Sequence, residues 1–290
     1  GMKWWRQARR DYATTPPTLA SPSSSVEHCY HEFYAQGWCQ LPSLSTEDVV
    51  ARLPEFRQVL DTTVLDETGK AHQYDAQGWH LNHNPESGVT RWIIEDMTHP
   101  IARTYFGGRD YDRGMKAVDT GSTMAAWLAR YPAIQTFLQQ PRLLAFLGWA
   151  NGGDVRPLIL QVERKRPGQA EGYEALHLDT KAHTIKVYVC LTPMTAVTGA
   201  LRYATGSHRW QAYPWIVEAL ARGRHRFNRE DVTRAGLSLT PLEAPAGAVL
   251  AFTGNGLHCA TAVQSFLGSG PLLSERWTLQ CYYQQLQPWK

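Results

Sequence analysis

The chain has 290 residues, 43% of them hydrophobic and 19% charged, with a formal net charge of +3. That length suits one large domain or two small ones with a sizeable core. So small a charge gives no reason to expect nucleic acid or a membrane surface as a partner. No run approaches the roughly 18 apolar residues of a membrane-spanning helix. The basic segment 1–10 has no apolar stretch behind it and does not read as a secretory signal. Five cysteines, at 29, 39, 190, 259 and 281, form an odd set with no CxxC spacing. This argues against a disulfide scaffold or zinc ribbon and fits free thiols in a reducing, cytoplasmic setting.

In chain order, DYATTPPTLASPSSS (11–25) reads as the end of a flexible arm, so the expected division is an arm over 1–25 and a single domain over 26–290. Val26, Cys29, Tyr30, Phe33 and Tyr34 recur at helical spacing, and Gly37 supplies a C-terminal stop. WCQLP is a short strand. Ser45 or Thr46 can cap a second helix running to Val59, with a break expected at Pro54. Residues 61–118 show little periodicity and read as loops with short helices. Two helices are expected near 120–130 and 132–147, with Pro141 marking a break in the second.

From about residue 155 the pattern changes. VRPLILQVERK, TIKVYVCL, GALRY, AGAVLAF, LHCATAV and RWTLQCYYQ are short runs rich in β-branched and aromatic residues, bounded by Gly and Pro. Helices early and six or more strands late predict an α+β fold with a mainly β core, a sandwich or jelly roll flanked by a helical layer.

YEALHLDT contains His177-x-Asp179. In a strand, residues i and i+2 point to one face, so an imidazole and a carboxylate reach a common point without distorting the backbone. His258 follows 81 positions later in another strand-like run. Two histidines and a carboxylate on one side of a metal leave the opposite side open, as a non-haem iron(II) oxygenase requires. Taken alone, His-x-Asp is common by chance, and a single buried histidine is more often a core residue than a ligand. Arg276 adds to the case. GSG (268–270) separates it from His258, and a hairpin folded about that turn sets the two side by side. A guanidinium there forks onto a carboxylate, where the plain alternative is a surface arginine on an edge strand.

HLDT, TIKVYVCLTPM, GALRYATGSH (199–208) and AGAVLAFTGNGLHCAT together resemble the phytanoyl-CoA dioxygenase family. So does the opening YHEFYAQGWCQLPSLSTEDVVARL. The resemblance spans roughly 26–285, with 61–150 poorly matched. It implies a double-stranded β-helix of the jelly-roll or cupin kind, with iron(II), 2-oxoglutarate and O2 as cofactor and co-substrates. Residue by residue, it makes His177, Asp179 and His258 the metal ligands and Arg276 the anchor of 2-oxoglutarate. The 18-residue spacing from His258 to Arg276 is longer than is usual in the family. The family often carries a small hydroxyl residue just after the distal histidine; here Ala260 holds that place and Thr261 follows, a candidate for the co-substrate site. The implied activity is oxidation of a small molecule with release of succinate and CO2. Because Asp179 is retained, hydroxylation is favoured over halogenation. The alternatives are a jelly-roll metalloenzyme that does not use 2-oxoglutarate and an inactive binding module.

Other features have plainer readings. His208 reads as a turn residue. His183 is either a neighbour of the metal site or a surface residue. His80 and His83 read as part of a loop without a third ligand. Six arginines between 209 and 234 form either a solvated face or a lid receptive to an anionic substrate.

Overall fold

The computed structural model describes residues 24–61, 80–84, 88–95, 120–151, 157–167, 175–179, 184–224, 226–263 and 275–284. The expected arm over 1–25 falls almost wholly outside these residues, as do His183 and the GSG at 268–270.

Helix α1 (Ser24–Gln36) buries Cys29, Tyr30 and Phe33 along one face and ends at Gly37, whose φ of 85° favours glycine. β1 (Trp38–Leu41) follows. The expected second helix is two, α2 (Glu47–Val50) and α3 (Leu53–Asp61), with Pro54 in the first turn of α3, where its missing N–H costs nothing. Thr46 stands at the N-cap of α2 but makes no capping bond; its hydroxyl donates to the Gly247 carbonyl at 2.7 Å. The loop reading of 61–118 is corrected in part. β2 (His80–Asn84) and β3 (Val89–Glu95) form an antiparallel hairpin, so His80 and His83 lie in a strand. HLNHN lacks apolar alternation because its strand is the outermost of its sheet. Three helices follow, α4 (Thr120–Arg130), α5 (Pro132–Leu138) and α6 (Pro141–Asn151), the last two opened by a proline at their first residue.

The strands are β4 (Pro157–Lys165), β5 (Leu176–His177), β6 (Thr184–Cys190), β7 (Leu201–Ala204), β8 (Arg226–Phe227), β9 (Leu239–Leu242), β10 (Val249–Thr253), β11 (His258–Ala260) and β12 (Arg276–Gln284). Between β7 and β9 lie a 3-10 helix (Ser207–Ala212), α7 (Pro214–Ala221) and α8 (Arg229–Arg234). Among the described residues the strands form two antiparallel sheets, ordered β1-β10-β6-β12-β4-β3-β2 and β8-β5-β11-β7-β9. This is the jelly roll with a helical layer.

Among the described residues, three apolar clusters hold it together. The largest joins the helices, through Phe33, Phe56, Trp127, Phe137 and Phe146, to the outer face of the seven-stranded sheet, through Leu160, Val162, Val187, Trp277 and Leu279. A second lies between the sheets and includes Tyr188, Tyr203, Leu250 and Phe252. The third covers the outside of the five-stranded sheet with Trp210, Ile216, Leu220 and Val232. The seven-stranded sheet is therefore covered on both faces, and its inner face is polar at every second position of three strands. Gln161, Glu163 and Lys165 alternate on β4, Lys186 and Tyr188 on β6, and Arg276, Thr278 and Gln280 on β12; all are buried. Groups of this kind leave water only when partnered. No helix among the described residues is long and apolar enough to cross a membrane.

Candidate metal centre

The five-stranded sheet carries one row of side chains across its inner face. His258 on β11 pairs with His177 on β5 and with Tyr203 on β7, and His177 pairs in turn with Arg226 on β8. Cross-strand partners share a face. Leu176 and Phe227, the alternate positions, pack into the outer cluster, so His177 and Arg226 point inward. The two imidazole centroids are 4.8 Å apart. Asp179 is not in strand with His177, as the two-residue spacing suggests, because β5 ends at His177. A bond from the Asp179 N–H to the Gly254 carbonyl, 3.0 Å, sets its position instead.

One ligand atom each from His177, Asp179 and His258 lies within 4.8 Å of the others. His177 Nδ1 is 3.1 Å from the Ala175 carbonyl, and His258 Nδ1 is 2.8 Å from the Gly256 carbonyl. A carbonyl only accepts, so each Nδ1 carries the proton and each Nε2 keeps its lone pair. Both Nε2 atoms face the Asp179 carboxylate, His258 at 2.9 Å from Oδ2 and His177 at 3.5 Å from Oδ1. This donor set fits a divalent first-row metal with an open side. Burial lowers the pKa of His258, against the pull of Asp179, and so favours the neutral imidazole that a metal needs. Burial pushes Asp179 up, but Lys186 and His258 outweigh it and hold the carboxyl well below its usual range. Lys186 reaches Asp179 Oδ2 from the opposite sheet.

The loop before His258 needs its glycines. A Cβ on Gly256 falls 1.7 Å from the Tyr203 hydroxyl, and one on Gly254 falls 2.4 Å from Thr184 Oγ1. The Tyr203 hydroxyl in turn meets Thr253 Oγ1 at 2.6 Å. These close approaches press the loop against the sheet and present the Gly256 carbonyl to His258.

Arg276 is 1% exposed, but not by the route expected. The hairpin with His258 is not formed: β11 belongs to the five-stranded sheet and β12 to the seven-stranded one, between β4 and β6. Symmetric hairpin spacing does not distinguish a turn within one sheet from a crossing between two. Arg276 Nη2 donates to Glu163 Oε1 at 2.6 Å, and Nη1 donates to the Gly199 carbonyl. Its Nε–H is buried without a partner. Thr261 closes the same corner: its hydroxyl donates to the Ala200 carbonyl at 2.9 Å, and Lys165 Nζ donates to its own carbonyl. Sequence reasoning missed Glu163, Lys165 and Lys186. Their signal is the polar residue at every second place in runs that are otherwise apolar.

His208 sits in the 3-10 helix with Nε2 3.0 Å from the Tyr34 carbonyl, a turn residue as expected. Of the arginine-rich segment, Arg222 pairs with Glu218, Arg224 with Asp231, and Arg209 stacks on Tyr34. Asn228 and Asp231 close a capping box on α8, which fixes the segment that carries Arg226.

The sequence profile of the phytanoyl-CoA dioxygenase family (PhyH) matches residues 33–266. No curated protein matches the chain by sequence. Among solved structures, EctD from S. alaskensis with 2-oxoglutarate and 5-hydroxyectoine is similar, with 14% identity and a TM-score of 0.54, covering 96% of this chain and 81% of its own. The non-haem α-ketoglutarate-dependent epimerase SnoN from nogalamycin biosynthesis has 13% identity and a TM-score of 0.53, covering 90% and 83%. At such identities these two likenesses speak for the fold; the profile match, over most of the chain, speaks for the family. The chain belongs to the phytanoyl-CoA dioxygenase family of iron(II)- and 2-oxoglutarate-dependent oxygenases.

Proposed function

We propose that this oxygenase hydroxylates a small anionic molecule, with iron(II) held by His177, Asp179 and His258 and 2-oxoglutarate anchored by Arg276, all within one catalytic domain. The observation that carries the reading is the pair of imidazoles, each with Nδ1 on a backbone carbonyl and Nε2 turned to Asp179. When bound, iron(II) supplies the oxidising chemistry, in which 2-oxoglutarate and O2 give succinate, CO2 and an oxygen atom for the substrate. Everything else falls to the chain. His177, Asp179 and His258 would hold the metal from one side and leave the other open to co-substrates. The retained carboxylate of Asp179 favours hydroxylation over halide transfer. The two sheets keep bulk water from the polar inner face, where fixed charges act strongly.

Arg276 has a free buried donor at Nε to offer a carboxylate, and Thr261 shapes the end of the same corner. For the substrate, Arg226 faces inward beside His177, and Lys186 stands across from it on Asp179. Lys186 is balanced by its pair with Asp179, so it is Arg226 whose positive charge beside the metal position favours an anion there. Anaerobic titration with iron(II) and 2-oxoglutarate tests the reading through the visible charge-transfer band. A wild-type protein that develops no band is not this enzyme.

A further inference from the structure

Glu163 lies toward the C-terminal end of β4 on the inner face, 4% exposed, between two guanidiniums. Its Oε2 accepts from Arg91 Nε at 2.8 Å, and its Oε1 accepts from Arg276 Nη2 at 2.6 Å. The register explains the clamp. Arg91 on β3 is the direct cross-strand partner of Glu163. Arg276 on β12 pairs with Lys165, one inward position along, so it reaches Glu163 diagonally. The two guanidiniums outweigh the burial that would otherwise raise the Glu163 carboxyl, which falls to about 2 and is ionised at any working pH.

A one-to-one arginine–glutamate pair is electrically neutral and draws an incoming carboxylate only weakly. Here one carboxylate serves two guanidiniums, so the clamp keeps a net charge of one positive unit. It also fixes the plane of the Arg276 fork, since one Nη2 hydrogen is committed to Glu163 and one Nη1 hydrogen to the Gly199 carbonyl. Nη1 also approaches Met194 Sδ at 4.0 Å, and the buried Nε–H stays available on a fork that cannot swing.

We propose that Glu163 is a positioning residue for 2-oxoglutarate: it holds the Arg276 guanidinium in the orientation that receives the distal carboxylate, and Arg91 keeps that clamp cationic. The inference rests on Arg276 being the co-substrate anchor. Glu163 touches neither metal nor co-substrate; it acts through Arg276.

The test compares wild type with Glu163→Gln, Glu163→Ala and Arg91→Ala under anaerobic conditions. Cobalt(II) alone is titrated first, through its d–d absorption, to report the triad. Iron(II) with 2-oxoglutarate is titrated next, through the charge-transfer band. Cobalt affinity is expected to stay within about twofold while the 2-oxoglutarate dissociation constant rises about 10–100-fold in the two Glu163 variants, the range typical when an orienting partner is lost. Arg91→Ala is expected to raise it by a smaller factor, about threefold, because orientation survives and only the net charge is lost. If Glu163→Ala does not fold, Glu163→Gln carries the test, since it keeps the shape and removes the charge. Variants that bind 2-oxoglutarate as tightly as wild type overturn the inference, as does a parallel loss of cobalt and 2-oxoglutarate affinity, which marks a merely structural role. A wild type that takes cobalt but not 2-oxoglutarate defeats the underlying reading of Arg276, and the inference falls with it.

Discussion

His258 shows what burial does for a candidate metal ligand. Its imidazole is 2% exposed, and burial lowers its pKa from the ordinary 6.5. Protons therefore compete with metal only below that value, and cobalt(II) affinity is expected to hold through neutral pH and fall on acidification. Stability follows the same sign. Below pH 6.5 the unfolded chain binds a proton at this residue that the folded chain resists, so His258 makes the metal-free protein less stable as pH falls toward the lowered value. Metal titrations and urea melts across that range check both statements. Arg276→Leu is expected to weaken 2-oxoglutarate binding by about 2–5 kcal/mol, the usual cost of truncating a buried charged partner, with cobalt(II) binding retained. At this scale much was legible. The histidines and the aspartate stand out in the sequence because metal chemistry requires those side chains. The Ala175 and Gly256 carbonyls that set the tautomers do not, because any residue supplies a backbone carbonyl.

Among the elements, the short strand β11 depends on the loop before it. A methyl group at Gly256 overlaps the Tyr203 hydroxyl. Gly256→Ala is expected to cost about 1–3 kcal/mol in a denaturant melt, as overpacking does, and to weaken metal binding by displacing the carbonyl that orients His258. Tyr203→Phe removes the hydroxyl bonded to Thr253 and Ser207 and is expected to cost about 1–2 kcal/mol. The C-terminal strands were readable from apolar runs bounded by turns. The hairpin of β2 and β3 was not, because His80–Asn84 carries one apolar residue, Leu81, and the hairpin joins the sheet through β4, which is distant in sequence. The expected pairing of β11 with β12 failed for a related reason. Equal spacing about a glycine-rich turn permits a hairpin but does not require one, and the chain crosses to the other sheet instead.

For the whole molecule, the helical layer and the seven-stranded sheet share one core, so damage far from the triad should reach it through stability alone. Phe137, 1% exposed, lies in that core. Phe137→Ala is expected to cost about 3–5 kcal/mol of unfolding free energy by urea melt, with the metal affinity of the folded fraction unchanged. Bound metal works in the other direction: cobalt(II) at a hundredfold excess over its dissociation constant is expected to add about 2.7 kcal/mol, and a chelator to remove it.

The sequence by itself determined the family and the jelly-roll class and singled out His177, Asp179 and His258 as the candidate metal ligands, because strand periodicity and ligand chemistry are written in side-chain types. Only the tertiary structure decided how Arg276 is held. Its partner Glu163 lies 113 positions away on the neighbouring strand, and Arg91 completes the clamp from the strand beyond. Which buried charges meet depends on strand order and register. Sequence spacing constrains these only when strands are joined by a turn.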